Sequence, residues 1–208
     1  NDAVLGTVIA RSGDTLTVRG ATLIRSNASV IFHDNVTVTI GPNTAVKKWH
    51  DASGALDTGA ISVGQRVEVR GTVTNSSIQN LAVDATAGRV RLLLTHIAGT
   101  LNSAVAGTGP LALDLQHIDG RRLGLFDFTG TGTSPAVDAN PANYLADTTG
   151  LTLTIAQGTP VRAFGFVVPF GQATAMEDFQ AKTVVDLSAG HAVLGIGWGL
   201  TGTTAPFT

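Results

Sequence analysis

Five histidines, His33, His50, His96, His117 and His191, are the residues of this sequence that could ligate a metal or carry a proton near neutral pH. They stand singly. No H-E-x-x-H pair occurs, and His33-Asp34 and His50-Asp51 are sequence neighbours that a strand sends to opposite faces. His117 and Asp119 share a strand face by spacing, yet Asp119-Gly120 also reads as a hairpin turn, which explains the pair without a metal. Residues 138–147 offer Asp138, Asn140, Asn143 and Asp147 as hard oxygen ligands, but not the D-x-D-x-D-G alternation that wraps a calcium ion. Such side chains commonly cap their own backbone in turns. The expectation is a chain with no metal and no cofactor.

Nucleophilic chemistry finds no carrier either. There is no cysteine, which removes thiol catalysis, disulfides and Cys-ligated zinc together. No G-x-S-x-G elbow is present, and Ser76, Ser77 and Ser188 sit in turn-like contexts. Gly195-x-Gly197-x-Gly199 lacks the helix and the acidic residue that make a dinucleotide fingerprint work, so its glycines read as close backbone approach around Trp198. No catalytic residue is assigned, and the chain reads as a non-enzyme.

Binding is the chemistry left. Single-strand nucleic acid needs stacking aromatics interleaved with a basic groove. The first half offers Arg66, Arg70, Arg89 and Arg91 but only Phe32 and Trp49 beside them, and the net charge is -2, so no nucleic-acid partner is expected. A neutral surface suits a glycan or a protein better. Trp49 in Lys47-Lys48-Trp49-His50-Asp51, Tyr144 and Trp198 are the candidate ligand-binding platforms, each with core packing as its competing role.

The elements that must position these residues are strands. Charged residues make up only 13% of the 208, against 43% hydrophobic, which excludes a disordered chain. Two glutamates and three lysines leave few charged helix formers, while Thr and Val are abundant. No apolar run is long enough to span a bilayer as a helix. Alternating patterns predict strands over residues 4–10, 16–19, 36–40, 66–74 and 78–85. A second set covers 97–101, 111–115, 122–128, 151–155, 161–168 and 179–185. Arg66-Val67-Glu68-Val69-Arg70 is the clearest, with valines on one face and charges on the other. Residues 20–35 and 129–149 are the least patterned, and the second stretch reads as a long loop inserted beyond what a small barrel needs. Within that loop, Tyr144 is the expected contact residue.

The two sets correspond. Gly6-Thr7-Val8 matches Gly99-Thr100-Leu101, Gly13 begins a run matched from Gly109, and Gly64 to Gly71 matches Gly158 to Gly165, with offsets of 93, 96 and 94. That period predicts a tandem duplication: residues 1–90 as one small closed β barrel, 91–190 as a second, and 191–208 closing the second or starting a third. An OB-like barrel is the expected form, with an immunoglobulin-like sandwich as the rival. Residues 1–8 run straight into a strand pattern without the regions of a signal peptide, so any such peptide is expected to have been removed or never included.

The frame at Gly6, Gly13 to Gly20, Val63 to Val73 and Leu81 to Ala85 resembles the uncharacterised tandem β domains of bacterial cell-envelope and secreted proteins, an OB-like class of unknown function. The resemblance spans nearly all of the first unit and, less closely, the second, which departs at Phe164 and Phe166. It implies an extracytoplasmic location, in the periplasm, at the outer-membrane surface or secreted, often behind a lipoprotein signal. It transfers no catalytic motif. The reading is a non-catalytic structural or ligand-binding module with no membrane-spanning helix. Its alternatives are an adhesion module for an unidentified glycan or protein, and an enzyme with a composite loop site.

Overall fold

Alternation of buried and exposed residues runs through nearly every strand, and Val67 and Val69 are sealed while their neighbours Arg66 and Arg70 face solvent. A computed structural model describes residues 2–50, 54–77 and 80–190. In it the first sheet contains β1 (Asp2–Ser12), β2 (Thr15–Ile24), β3 (Val30–Thr39), β4 (Ala45–Lys48), β5 (Arg66–Ser76) and β6 (Leu81–Leu92). Strands β1, β2 and β3 form an antiparallel meander, β3 pairs parallel with β6 from Thr37↔Ala82 to Thr39↔Asp84, and β6 returns through β5 to β1. The circuit of pairings thus comes back to its start, and β4 lies alongside β6 in parallel. Inside it pack Val4, Val8, Leu16, Val38, Val69 and Val90.

The second half contains β7 (Thr95–Leu101), β8 (Val105–Gly107), β9 (Leu111–Ile118), β10 (Arg121–Arg122), β11 (Tyr144–Asp147), β12 (Leu153–Ile155), β13 (Pro160–Val167) and β14 (Phe179–Asp186). Five of these close a barrel. Strand β7 pairs with β9 and β9 with β11, both antiparallel; β11 runs parallel to β14, and β14 returns through β13 to β7. Closure removes the sheet edges that short strands would otherwise expose. The interior is filled by Ile97, Leu113, Ile118, Tyr144, Val161 and Phe179. The residues 66–71 and 160–165 fall on β5 and β13, each of which lies between the first and last strands of its circuit.

The structure departs from the sequence reading in four places. Residues 122–128 are not a strand: after β10 the chain makes a 3-10 turn at Leu123–Leu125, and Phe126 and Phe128 pack on the second core from outside the sheet. The backbone here bonds elsewhere, with the Asp127 N–H donating to the Ile9 carbonyl at 2.8 Å. Residues 20–35 are ordered as one long hairpin, in which β2 and β3 stay paired out to Ile24↔Val30. Residues 153–155 leave the main sheet and pair with β8. Finally, 129–149 is not an insertion beyond the barrel, because β11 is one of its five staves. Among the described residues no helix is long and apolar enough to cross a membrane.

Candidate functional site

Polar side chains from both halves meet at the seam between them. Gln65, fully buried just before β5, donates from Nε2 to the carbonyls of Arg66 (2.8 Å) and Leu93 (2.6 Å), and its Oε1 accepts from the Val167 N–H at 3.1 Å. One amide therefore satisfies backbone of both sheets, as a buried amide must if it is not to cost stability. Phe166 of β13 reaches into the first core, and the Phe170 N–H donates to the Gly59 carbonyl at 2.8 Å.

Beside Gln65 the seam opens into a cleft of about 260 Å³ lined by Thr7, Gly20, Arg66, His96, Asp119 and Arg121, with Leu5, Gly6 and Thr22 alongside. Each residue is there for a local reason. Asp119-Gly120 forms the tight turn between β9 and β10 with both residues at positive φ, 47° and 72°, which aims the Asp119 carboxylate back across the seam. Its Oδ2 accepts from the Thr7 hydroxyl at 2.9 Å, and its Oδ1 accepts from the His96 backbone N–H at 3.0 Å. His96 Nδ1 stands 3.0 Å from the same Oδ1. Arg121 donates from Nη1 to the Thr7 hydroxyl and to the Asp119 carbonyl, both at 3.0 Å.

Gly20 makes room for that guanidinium. The β1–β2 register slips between Leu5 and Thr7, opposite Gly20, which takes φ +63° there. A Cβ on Gly20 would overlap the Arg121 side chain. The cleft is cationic on balance, because Arg66, Arg121 and nearby Arg19 face one buried carboxylate, Asp119. Burial pulls Arg121 below its ordinary pKa, Asp119 opposes that, and the like charges of Arg66 and Arg19 add to it. Two guanidiniums at one opening can receive an oxyanion. They do not make a nucleophile of Thr7, which is 1% exposed and has its hydroxyl hydrogen on Asp119.

The aromatic candidates lie elsewhere. Tyr144 is fully buried in the second core, its hydroxyl 3.5 Å from the Asp178 carbonyl, and it has no face to offer a ligand. The physical reason is β11: alternation along Tyr144–Asp147 sends Tyr144 and Ala146 inward. Trp49 is 42% exposed beside Lys47, Lys48 and His50, but the Arg91 guanidinium covers one ring face at 4.9 Å from its centroid. Trp198 lies outside the described residues, as do His191 and the Gly195 to Gly199 run. Among the described residues no three His, Asp or Glu side chains converge as a metal set. Asp138 is used internally, its two oxygens accepting from the Gly130 and Gly132 N–H groups at 3.1 and 2.8 Å.

Sequence reasoning noticed Asp119-Gly120 as a turn and Arg66 as a solvated strand residue, but nothing in it joined them. Their meeting depends on how the two halves abut. No family model, curated protein or solved structure matches this chain.

Proposed function

We propose that the chain is a non-catalytic module of two tandem OB-like barrels from a bacterial extracytoplasmic protein, and that it binds the anionic group of a ligand in the cleft between them. Support for the tandem reading is the shared order of pairing: three ring strands antiparallel in succession, the third parallel to the last, and the last returning through the fourth to the first. Its placement outside the cytoplasm rests on the resemblance of the first unit alone. The observation that carries the binding reading is the approach of Arg66 and Arg121, from different halves, to one opening built on a glycine bulge. Bringing like charges together costs free energy that a bound oxyanion offsets.

Titration with inorganic phosphate, followed by calorimetry and by amide shifts of Thr22 and His96, tests this. Millimolar binding is expected, weakening about tenfold in Arg66→Gln, which leaves the Thr7, Asp119 and Arg121 hydrogen bonds in place. Unchanged binding in that variant, or none in the parent, overturns the cleft as the site. A glycan or protein platform at Trp49 is the second reading, favoured by that ring's exposure among basic residues.

A further inference from the structure

The cleft does not end at its polar rim. Directly opposed residues of antiparallel strands share a face of the sheet. Leu5 is opposed by Thr22, and Thr22 by Phe32; one row further along, Ala3 is opposed by Ile24, and Ile24 by Val30. These six residues therefore tile one outward face across β1, β2 and β3. Leu5 and Thr22 are also part of the cleft wall. At the far side Phe32 is 79% exposed, with Val30 at 51% and Ile24 at 42%. Phe32 is the most exposed of the large hydrophobic residues described. Contiguous exposed apolar surface of this kind marks interaction sites.

Charge separates the ends of this surface. On the β5 side the same rows continue into Glu68 and Arg70, which pair with each other at 2.7 Å, and Glu68 also pairs with Arg91 at 3.2 Å. One carboxylate thus serves two guanidiniums there. In the cleft Arg66 and Arg121 stand with Asp119, and from Leu5 and Thr22 at its wall the face runs on to Phe32. From β1 to β3 the span is about 10 Å, two interstrand spacings.

We infer that the ligand of the cleft is a single-chain anionic amphiphile, whose oxyanion sits between Arg66 and Arg121 and whose apolar chain lies over Leu5 and Thr22 against Phe32. This rests on the cleft as an anion site and adds the chemistry of what the anion is attached to. The occupant is a free molecule, because the oxyanion must enter the seam between the two halves while its chain lies along the face of one of them. Burying even two or three methylene groups on the tiles is enough for about a tenfold gain in affinity.

Octyl phosphate, inorganic phosphate and octanol, each kept below the concentration of micelle formation, are titrated against the intact chain by calorimetry. Octyl phosphate is expected to bind at least about tenfold more tightly than either of the others. Phe32→Ser, a change at an exposed position, removes that gain and leaves inorganic phosphate binding unchanged, while Arg66→Gln weakens both anions. Equal affinity for octyl phosphate and inorganic phosphate overturns the amphiphile and leaves the anion site standing. Failure of both anions to bind sinks the anion site and the amphiphile with it. Octanol binding as tightly as octyl phosphate, or binding seen only to anionic phospholipid vesicles, also overturns the inference.

Discussion

The Thr7 hydroxyl donates to Asp119 Oδ2 at 2.9 Å across 112 residues of chain, and accepts in turn from Arg121 Nη1 at 3.0 Å. Thr7 itself is 1% exposed, so its hydroxyl relies on these two partners. Thr7→Val keeps the shape and removes the hydroxyl, leaving a buried carboxylate oxygen and a guanidinium N–H each short of a partner. Such unpaired groups cost about 1–3 kcal/mol. In a chain of this size that lowers the melting temperature by about 5 °C, read by circular dichroism. A double-mutant cycle with Asp119→Asn should show coupling, and strict additivity would mean the two groups act independently.

Gly20 is the position where backbone and site are one problem. Its φ of +63° suits glycine, and a Cβ there would strike the Arg121 guanidinium. Gly20→Ala is expected to cost roughly 1–2 kcal/mol from the left-handed backbone alone. It should also push Arg121 off the bulge and weaken phosphate binding several-fold. Calorimetry separates the two effects: a stability loss with unchanged anion affinity would show that Arg121 does not need the bulge to serve the cleft.

Residues with a strict local pattern were legible in the sequence. Arg66 to Arg70 declares a half-buried strand because period-two alternation is a property of the chain alone, and β5 forms there. Asp119-Gly120 likewise declares a tight turn. What could not be read was register and closure. Tyr144-Leu145-Ala146-Asp147 is too short and too mixed to stand out from the Asn, Pro and Gly around it, and it becomes a strand only because β9 and β14 both offer it backbone partners. The cleft was hidden for a related reason. Arg66 and Arg121 are 55 positions apart in the sequence and on different sheets, so only the packing of the halves makes them neighbours.

Because Tyr144 fills the second core, its truncation should act on folding. Tyr144→Ala empties a fully buried aromatic site, which costs about 3–5 kcal/mol and lowers the melting temperature by about 10 °C. Tyr144→Phe keeps the ring and loses only a 3.5 Å contact to the Asp178 carbonyl, a change of about 1 kcal/mol or less. Replacing residues 130–147 with a Gly-Ser linker removes β11 and should unfold the second barrel, seen as lost dispersion of its amide resonances. A cooperative melt retained by that deletion would show that β11 is dispensable.

Asp178 gives the fold a pH dependence of definite sign. Burial, aided by the neighbouring charge of Glu177, pushes its carboxyl up to about 6, and the bond its Oδ2 accepts from the Leu145 N–H at 2.9 Å only partly opposes this. In the unfolded chain the group titrates near its ordinary value of 3.8. Between roughly pH 4 and 6 the folded state therefore holds a proton that the unfolded state has released, and stability falls as pH rises through this window. Above it the folded state carries a buried charge beside Glu177. Asp178→Asn retains an oxygen for the Leu145 N–H and removes the charge. The variant should melt a few degrees higher than the parent at pH 8. At pH 4, where the folded parent is already neutral at this position, the difference should shrink toward zero. Thermal melts of both proteins from pH 4 to 8 decide the matter: a constant difference across the range, or a variant less stable at pH 8, would show that the ionised carboxylate is accommodated without cost.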